Sequence, residues 1–211
     1  MSREQLEQGA ASLDLTLTGR QCERLLAYGA LILKWNKVYN LTALRDPAMV
    51  LTHHLLDSLA VIRPLSRERT GADSLLDVGA GAGLPGVVIA AMREDIDVTC
   101  VDAVAKKAAF VQQVASELGL RNLRCVHARV ESMTGSYGVI SSRAFASLPD
   151  FVNGSAHLLA DRGVWLAMKG KVPEDEIAGL PAKAEVFHVE QLTVPGLDAE
   201  RCIVWMRKPA A

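Results

Sequence analysis

Ten residues constrain this chain more than any others: Asp77-Val78-Gly79-Ala80-Gly81-Ala82-Gly83-Leu84-Pro85-Gly86. They follow Ser74-Leu75-Leu76, a short apolar run with the character of a buried strand. Four glycines remove the Cβ atoms that would hold a ligand off the backbone. Pro85 suits the first turn of a helix, where its missing N–H has no intrahelical partner. Strand, glycine loop and helix start together predict a nucleotide-type pocket of exposed N–H donors.

Two ligands compete for such a loop. Gly81-x-Gly83-x-x-Gly86 satisfies the dinucleotide pattern, and a tight strand-to-helix turn with no ligand is the plain alternative. Asp77 favours a different ligand. It stands two residues before the first glycine, at the carboxyl end of the strand, where ligands bind in open α/β sheets. A carboxylate there repels a pyrophosphate and attracts an ammonium group. S-adenosylmethionine carries an ammonium and a sulfonium and no phosphate. Asp102 closes the next strand, Asp97–Asp102, 19 residues after Gly83. An acid at that place accepts hydrogen bonds from ribose hydroxyls, or caps the following helix. Asp77, Gly81, Gly83 and Asp102 are therefore cofactor-binding candidates.

A chain of 211 residues, half of them hydrophobic, makes one domain with at most an appendage. The net charge of −1 provides no global field toward nucleic acid, so any RNA contact needs a local basic patch. Cys22, Cys100, Cys125 and Cys202 form no C-x-x-C pair, and neither a disulfide nor a metal site is expected. Met1-Ser2-Arg3-Glu4-Gln5 begins no signal peptide, and no apolar run reaches the ~18 residues of a membrane span. A cytoplasmic setting is expected.

Residues 1–65 carry helical patterns and are expected to form a helical cap; residues 66–211 are expected to form the ligand-binding domain. Thr18-Gly19-Arg20-Gln21 has the pattern of a capping box. Behind it Cys22, Leu25, Leu26, Gly29, Ile32 and Leu33 share one helical face, with Arg20, Arg24, Lys34 and Lys37 on the other. Asp46-Pro47 restarts a helix, whose buried side is predicted to hold Val50, Leu51, His54, Leu55, Leu59 and Ile62. A polar connection, 67–73, leads into the glycine-loop strand.

From residue 74 strands and helices alternate, which predicts a parallel sheet with helices on both faces. A helix is expected over 104–118, strands at 123–127, 138–142 and 163–169, and a helix near 148–159. Residues 183–192 and 201–207 complete the set of strands. The turn around Pro195-Gly196 is too short for a parallel crossover, so the last strand should run antiparallel. An α/β fold with a mostly parallel seven-stranded sheet and one reversed strand is the pattern of Rossmann-like class I methyltransferases. A dehydrogenase would need a second nucleotide half, for which little chain remains.

Several further segments point the same way: Trp35-Asn36-Lys37-Val38-Tyr39-Asn40-Leu41-Thr42, His53-His54-Leu55-Leu56-Asp57-Ser58, Asp102 to Phe110, Ala128-Arg129-Val130-Glu131, Ser142-Arg143-Ala144-Phe145-Ala146 and Met168-Lys169-Gly170. With the glycine loop they resemble the bacterial small-subunit ribosomal RNA guanine-N7 methyltransferases, once called glucose-inhibited division protein B. The resemblance spans about residues 20 to 207. Gly138 departs from it, standing where such enzymes often carry Asp. The resemblance implies S-adenosylmethionine contacts at Gly79, Leu84, Val130, Glu131 and Arg143, with adenine near Val130 and Glu131. It implies 16S rRNA in the 30S subunit, or in an assembly intermediate, as the partner; a monomer is expected.

The chemistry is consistent with that reading. No N-P-P-[YF] motif for exocyclic amines occurs, and no cysteine is placed for attack on a pyrimidine. Guanine N7 has a free lone pair and no proton, so no acid–base residue is expected. Arg143 and Lys169 are expected to orient the nucleotide through phosphate or O6, because a donor on N7 would occupy the reacting lone pair. His53 is expected near the cofactor mouth and His54 in the helix interface. Asn40, with Lys37, either borders the RNA entrance or simply ends its helix. A small-molecule or protein methyltransferase, or a non-catalytic ligand-binding assembly protein, remains the alternative.

Overall fold

A computed structural model describes residues 1–68, 73–143 and 145–210. The connection expected at 67–73 therefore lies partly outside the described residues, as does Ala144. Helix α1 (Arg3–Ser12) opens with a capping box between Ser2 and Gln5. Helix α2 (Gly19–Tyr39) opens with the one predicted at Thr18 and Gln21, each residue satisfying an orphan amide of the other. Asn40 ends α2 in the left-handed region, φ 49°. Helix α3 (Pro47–Val50) starts at the predicted cap, with the Asp46 carboxylate accepting the Ala48 N–H. It runs on through a π-helical stretch, Leu51–Leu56, into α4 (Asp57–Leu59), and α5 (Ile62–Glu68) follows. Such widened helical turns recur at functional sites. The whole predicted face from Val50 to Ile62 is buried, and so are Leu56, Asp57, Ser58 and Val61.

The alternating part begins with β1 (Ser74–Val78), α6 (Gly86–Met92), β2 (Asp97–Asp102), α7 (Ala105–Glu117) and β3 (Leu123–His127). A 3-10 turn at Val130–Ser132 leads to β4 (Tyr137–Arg143), α8 (Leu148–Ser155), β5 (Leu159–Lys169), α9 (Glu174–Ala178), β6 (Glu185–Leu192) and β7 (Arg201–Arg207). The sheet order is β3-β2-β1-β4-β5-β7-β6. β1 to β5 pair in parallel, and β7 runs antiparallel to both β5 and β6. The seven strands and the reversed one are as expected. The helical stretch predicted near 148–159 is α8 followed by a 3-10 turn, Ala156–Leu158, and β5 starts four residues earlier than predicted. Tertiary bonding explains it: the Ser155 hydroxyl donates to Phe151 O and accepts the Trp165 indole N–H, pinning the helix end to the strand.

Alternate strand residues feed two hydrophobic clusters, one on each side of the sheet. Leu75, Cys100, Leu166 and Trp205 join α6, α7 and the N-terminal helices on one side. Leu76, Val78, Ile140 and Trp165 join α8 on the other. Leu6, Leu25, Ile32, Leu55 and Leu59 belong to the same cluster as Leu75 and Val87, so residues 1–65 share their core with the sheet. Strand order reverses between β1 and β4, and the crevice at their carboxyl ends is the topological switch point where ligands bind in such sheets.

Candidate functional site

The glycine loop leaves β1 at this switch point. Gly79, Gly81 and Gly83 all have positive φ, at 65°, 59° and 90°. A Cβ on Gly79 would lie 2.4 Å from the Phe145 ring, one on Gly83 2.4 Å from Val87 Cγ2, and one on Gly86 2.6 Å from Cys100 Sγ. At Gly81 the nearest atom is the Gly79 carbonyl oxygen at 3.8 Å. Three of the four glycines therefore make room for protein atoms, and Gly81 is the one that opens toward free space. Pro85 takes the N-cap position of α6, one residue before the place expected for it, and its peptide bond with Leu84 is cis.

The expected pocket of exposed N–H donors is not what forms. Gly79 and Ala80 donate to Val101 O at 2.9 and 3.2 Å, and Gly83 and Leu84 donate to Ala80 O at 2.7 and 3.0 Å. Gly81 N–H donates to Asp102 Oδ2 at 2.9 Å, and Gly86 N–H to Asp77 Oδ2 at 3.0 Å. A pyrophosphate cradle needs free backbone donors. In this loop those six amides are occupied by the protein itself.

Asp77 is fully buried behind the loop, its second oxygen accepting the Ser141 hydroxyl at 2.9 Å. Desolvation pushes its pKa up to about 6, against the opposing pull of the Gly86 and Ser141 hydrogen bonds and the Arg143 charge. Each oxygen takes one protein hydrogen bond, so Asp77 ties the loop, α6 and β4 together. Asp102 combines two roles: Oδ2 holds Gly81, and Oδ1 accepts the Val104 N–H at 2.8 Å at the start of α7. Each carboxylate oxygen retains a further lone pair for a ligand hydroxyl.

In front of the loop lies a cavity of about 560 Å³. Its wall brings together Gly79, Gly81 and Leu84 with His53, His54 and Asp57, and with Arg143, Lys169 and Arg201. Asp57 is buried between two guanidinium groups. Arg143 Nη1 donates to Oδ2 and Arg201 Nε to Oδ1, both at 2.9 Å. Two cations share one anion, which leaves the wall net positive there. Arg143 also donates to the His53 carbonyl at 2.9 Å, inside the π-helical turn. Lys169 donates to Glu176 at 2.8 Å and to Ala146 O at 3.2 Å.

His54 lies 2.8 Å from the Thr42 hydroxyl through Nε2 and 3.0 Å from the His53 carbonyl through Nδ1. Burial and the nearby Arg143 charge lower its pKa to about 4, so the ring is neutral at pH 7. Nδ1 also lies 3.4 Å from Arg143 Nη2, so the ring touches Thr42 on one side and the His53 carbonyl and Arg143 on the other. Thr42 Oγ1 accepts the Leu44 N–H in turn, and Asn36 bonds both Leu44 O and the Thr42 N–H. This network fixes the loop after α2 against the histidine.

Of the predicted site residues, Gly79, Gly81, Leu84, Arg143, Lys169 and His53 meet at the cavity. Asp77, Gly83 and Asp102 do not line it. Val130 and Glu131 form the 3-10 turn after β3, next to α8, apart from this cavity. Asn40 ends its helix in the left-handed region and accepts a hydrogen bond from Arg45 at 3.0 Å. Sequence reasoning missed Asp57 and Arg201 as a cluster, and it missed Tyr28, whose hydroxyl donates to Ala82 O. Asp57 had only its place in the histidine-rich segment as a signal. Arg201 had none, since β7 comes beside the π-helical turn only in the folded chain.

The fold is shared with solved methyltransferase structures. TrmN from Thermus thermophilus superposes with a TM-score of 0.58 at 15% identity, covering 75% of this chain and 53% of that one. A ribosomal protein L11 methylase from Lactobacillus delbrueckii subsp. bulgaricus gives 0.58 at 14% identity, covering 73% and 79%. Sheet order, reversed β7 and the glycine loop at the switch point define a Rossmann-like class I methyltransferase. Within that class, residues 21–204 match the family model of rRNA small subunit methyltransferase G. Similar curated proteins, each called ribosomal RNA small subunit methyltransferase G, include one from Acidovorax sp. (strain JS42). It is 60% identical over 97% of this chain and 95% of its own length. One from Methylibium petroleiphilum is 61% identical over 96% and 93%. The chain belongs to the rRNA small subunit methyltransferase G family.

Proposed function

We propose that this protein transfers the methyl group of S-adenosylmethionine to N7 of one guanine in 16S rRNA. The observation that carries the reading is the family match over residues 21–204, and the relatives' shared name supplies the substrate class. The loop supports the cofactor. Its amides are spent on protein acceptors, which disfavours a phosphate ligand and suits one without phosphate. Gly79, Gly81 and Leu84 would hold S-adenosylmethionine on the loop side, Asp102 at its ribose, and Val130 and Glu131 at its adenine. Gly83 keeps the loop in shape, and Asp77 beneath it would attract the ammonium group of the cofactor. Bound there, the cofactor supplies a methyl group made electrophilic by its sulfonium.

The chain's own contribution is positional. N7 carries a lone pair and no proton, so the site needs no general base. Arg143, with Asp57 fixing its direction, and Lys169 orient the nucleotide through phosphate or O6. His53 borders the same space, and its Nδ1 has no hydrogen-bond partner among the described residues. Holding the base in line with the methyl and keeping water out are the principal sources of rate. The substrate is 16S rRNA within the 30S subunit or an assembly intermediate, met by a cytoplasmic monomer. Among the described residues no helix is long and apolar enough to cross a membrane.

Labelled S-adenosylmethionine incubated with 30S subunits lacking the modification tests this directly. Label recovered in 7-methylguanosine at a single 16S position is the expected result. Cofactor binding without label in RNA would overturn the substrate assignment and leave the small-molecule and protein alternatives.

A further inference from the structure

We propose that Tyr39 is a stacking platform for an unpaired base of the substrate RNA, adjacent to the guanine that enters the cavity. The proposal rests on the RNA reading above. Tyr39 closes α2 and is 42% exposed, while most large apolar side chains of this protein are buried. It is not an isolated surface ring. Its centroid is 5.1 Å from Trp35, which meets Phe110 of α7 edge-on at 5.3 Å. Phe110 stacks with Tyr28 at 6.5 Å, and the Tyr28 hydroxyl donates to the glycine loop at Ala82 O. Four rings therefore run from the surface to the cofactor side of the molecule. A ring braced in this way loses little side-chain freedom when a base lands on it.

Its position suits the purpose. Beyond Tyr39 the chain turns through Asn40 into Leu41 and Thr42, which are both on the cavity wall. Lys107, one helical turn before Phe110, is on that wall too. The tyrosine thus stands beside the cavity, on the side where a lysine is available for a phosphate. Methylation of a base requires it to leave its stack, and its former neighbour then needs a new surface. Aromatic side chains provide one without regard to sequence, and single-stranded RNA is recognised in this way. A net charge of −1 gives weak electrostatic attraction overall, so stacking would contribute affinity that charge does not.

The test is steady-state transfer to 30S subunits lacking the modification, with cofactor affinity measured separately, for wild type, Tyr39→Ala, Tyr39→Phe and Tyr39→Leu. Loss of one base stack should raise KM for the particle about tenfold in Tyr39→Ala, with cofactor affinity retained. Tyr39→Phe should restore KM and Tyr39→Leu should not, because only the former keeps a π-face. An unchanged KM in Tyr39→Ala, or equal rescue by Leu and Phe, would overturn the platform. Weakened cofactor affinity parallel to KM would also overturn it, showing that the four rings merely brace the loop. A wild-type protein that methylates no RNA would instead remove the reading beneath the proposal.

Discussion

The hydroxyl of Tyr28, on α2, donates to the carbonyl of Ala82 at 2.6 Å, inside the glycine loop. A residue of α2 thus ties that helix to the glycine loop. The ring is fully buried, and burial pushes the phenol pKa well up, so it remains a donor at every physiological pH. Tyr28→Phe keeps the stack on Phe110 and removes this bond alone. It should cost about 1 kcal/mol of stability and weaken cofactor binding several-fold, read by urea denaturation and by titration with S-adenosylmethionine.

The glycines separate structural from ligand constraints. Gly79→Ala places a methyl 2.4 Å from Phe145 at φ 65°, so it should lower stability as well as cofactor affinity. Gly81→Ala meets nothing closer than 3.8 Å. It should cost only the ~1 kcal/mol of a left-handed alanine while its methyl obstructs the ligand space. Thermal melts and cofactor titrations of the pair should therefore diverge, with Gly81→Ala the more stable.

Asp57 is the shared acceptor of Arg143 and Arg201. Asp57→Asn keeps the shape and removes the charge, leaving two guanidinium groups, each roughly a fifth exposed, facing each other. A loss of about 2 kcal/mol is expected, less than for a fully buried pair because solvent screens both arginines. Turnover on RNA should fall further than cofactor affinity. Equal losses in both would place the cluster outside nucleotide positioning.

Two buried groups titrate in the same acidic window with opposite signs. The Asp77 pKa is raised from 3.8 to about 6, so its contribution is complete below pH 4 and is lost as pH rises through 6. The His54 pKa is lowered from 6.5 to about 4, so its contribution is complete above pH 6.5 and is lost as pH falls through 4. The two offset each other in the wild type. Asp77→Asn can still accept from Gly86 and donate to Ser141, so it should fold and leave the histidine unopposed. Its stability should then drop more steeply than the wild type's between pH 6.5 and 4. His54→Gln should show the reverse slope, both measured by urea melts across that range.

Much of the fold was legible in the linear chain because its signals are local. Capping at Thr18 and Asp46, the strand before the glycines and the short link at Pro195-Gly196 each depend on a few neighbouring residues. Periodicity and turn length alone predicted the alternating elements and the reversed last strand, and the motifs led to the family. The positive φ angles of the loop required glycine wherever the loop went. What the loop does with its backbone was decided by tertiary structure. Its amides were expected to face a ligand, yet three are taken up by Val101 and Asp102, brought alongside on β2, two by Ala80 O within the loop, and one by Asp77 at the end of β1. The bond from Ser141 to Asp77 likewise arises only when β1 pairs with β4. The ion cluster needed even longer reach. Asp57, Arg143 and Arg201 are separated by 86 and 144 positions along the chain, counted from Asp57. No spacing rule covers such distances, because side chains so far apart in sequence meet only through the packing of the sheet against the helical cap.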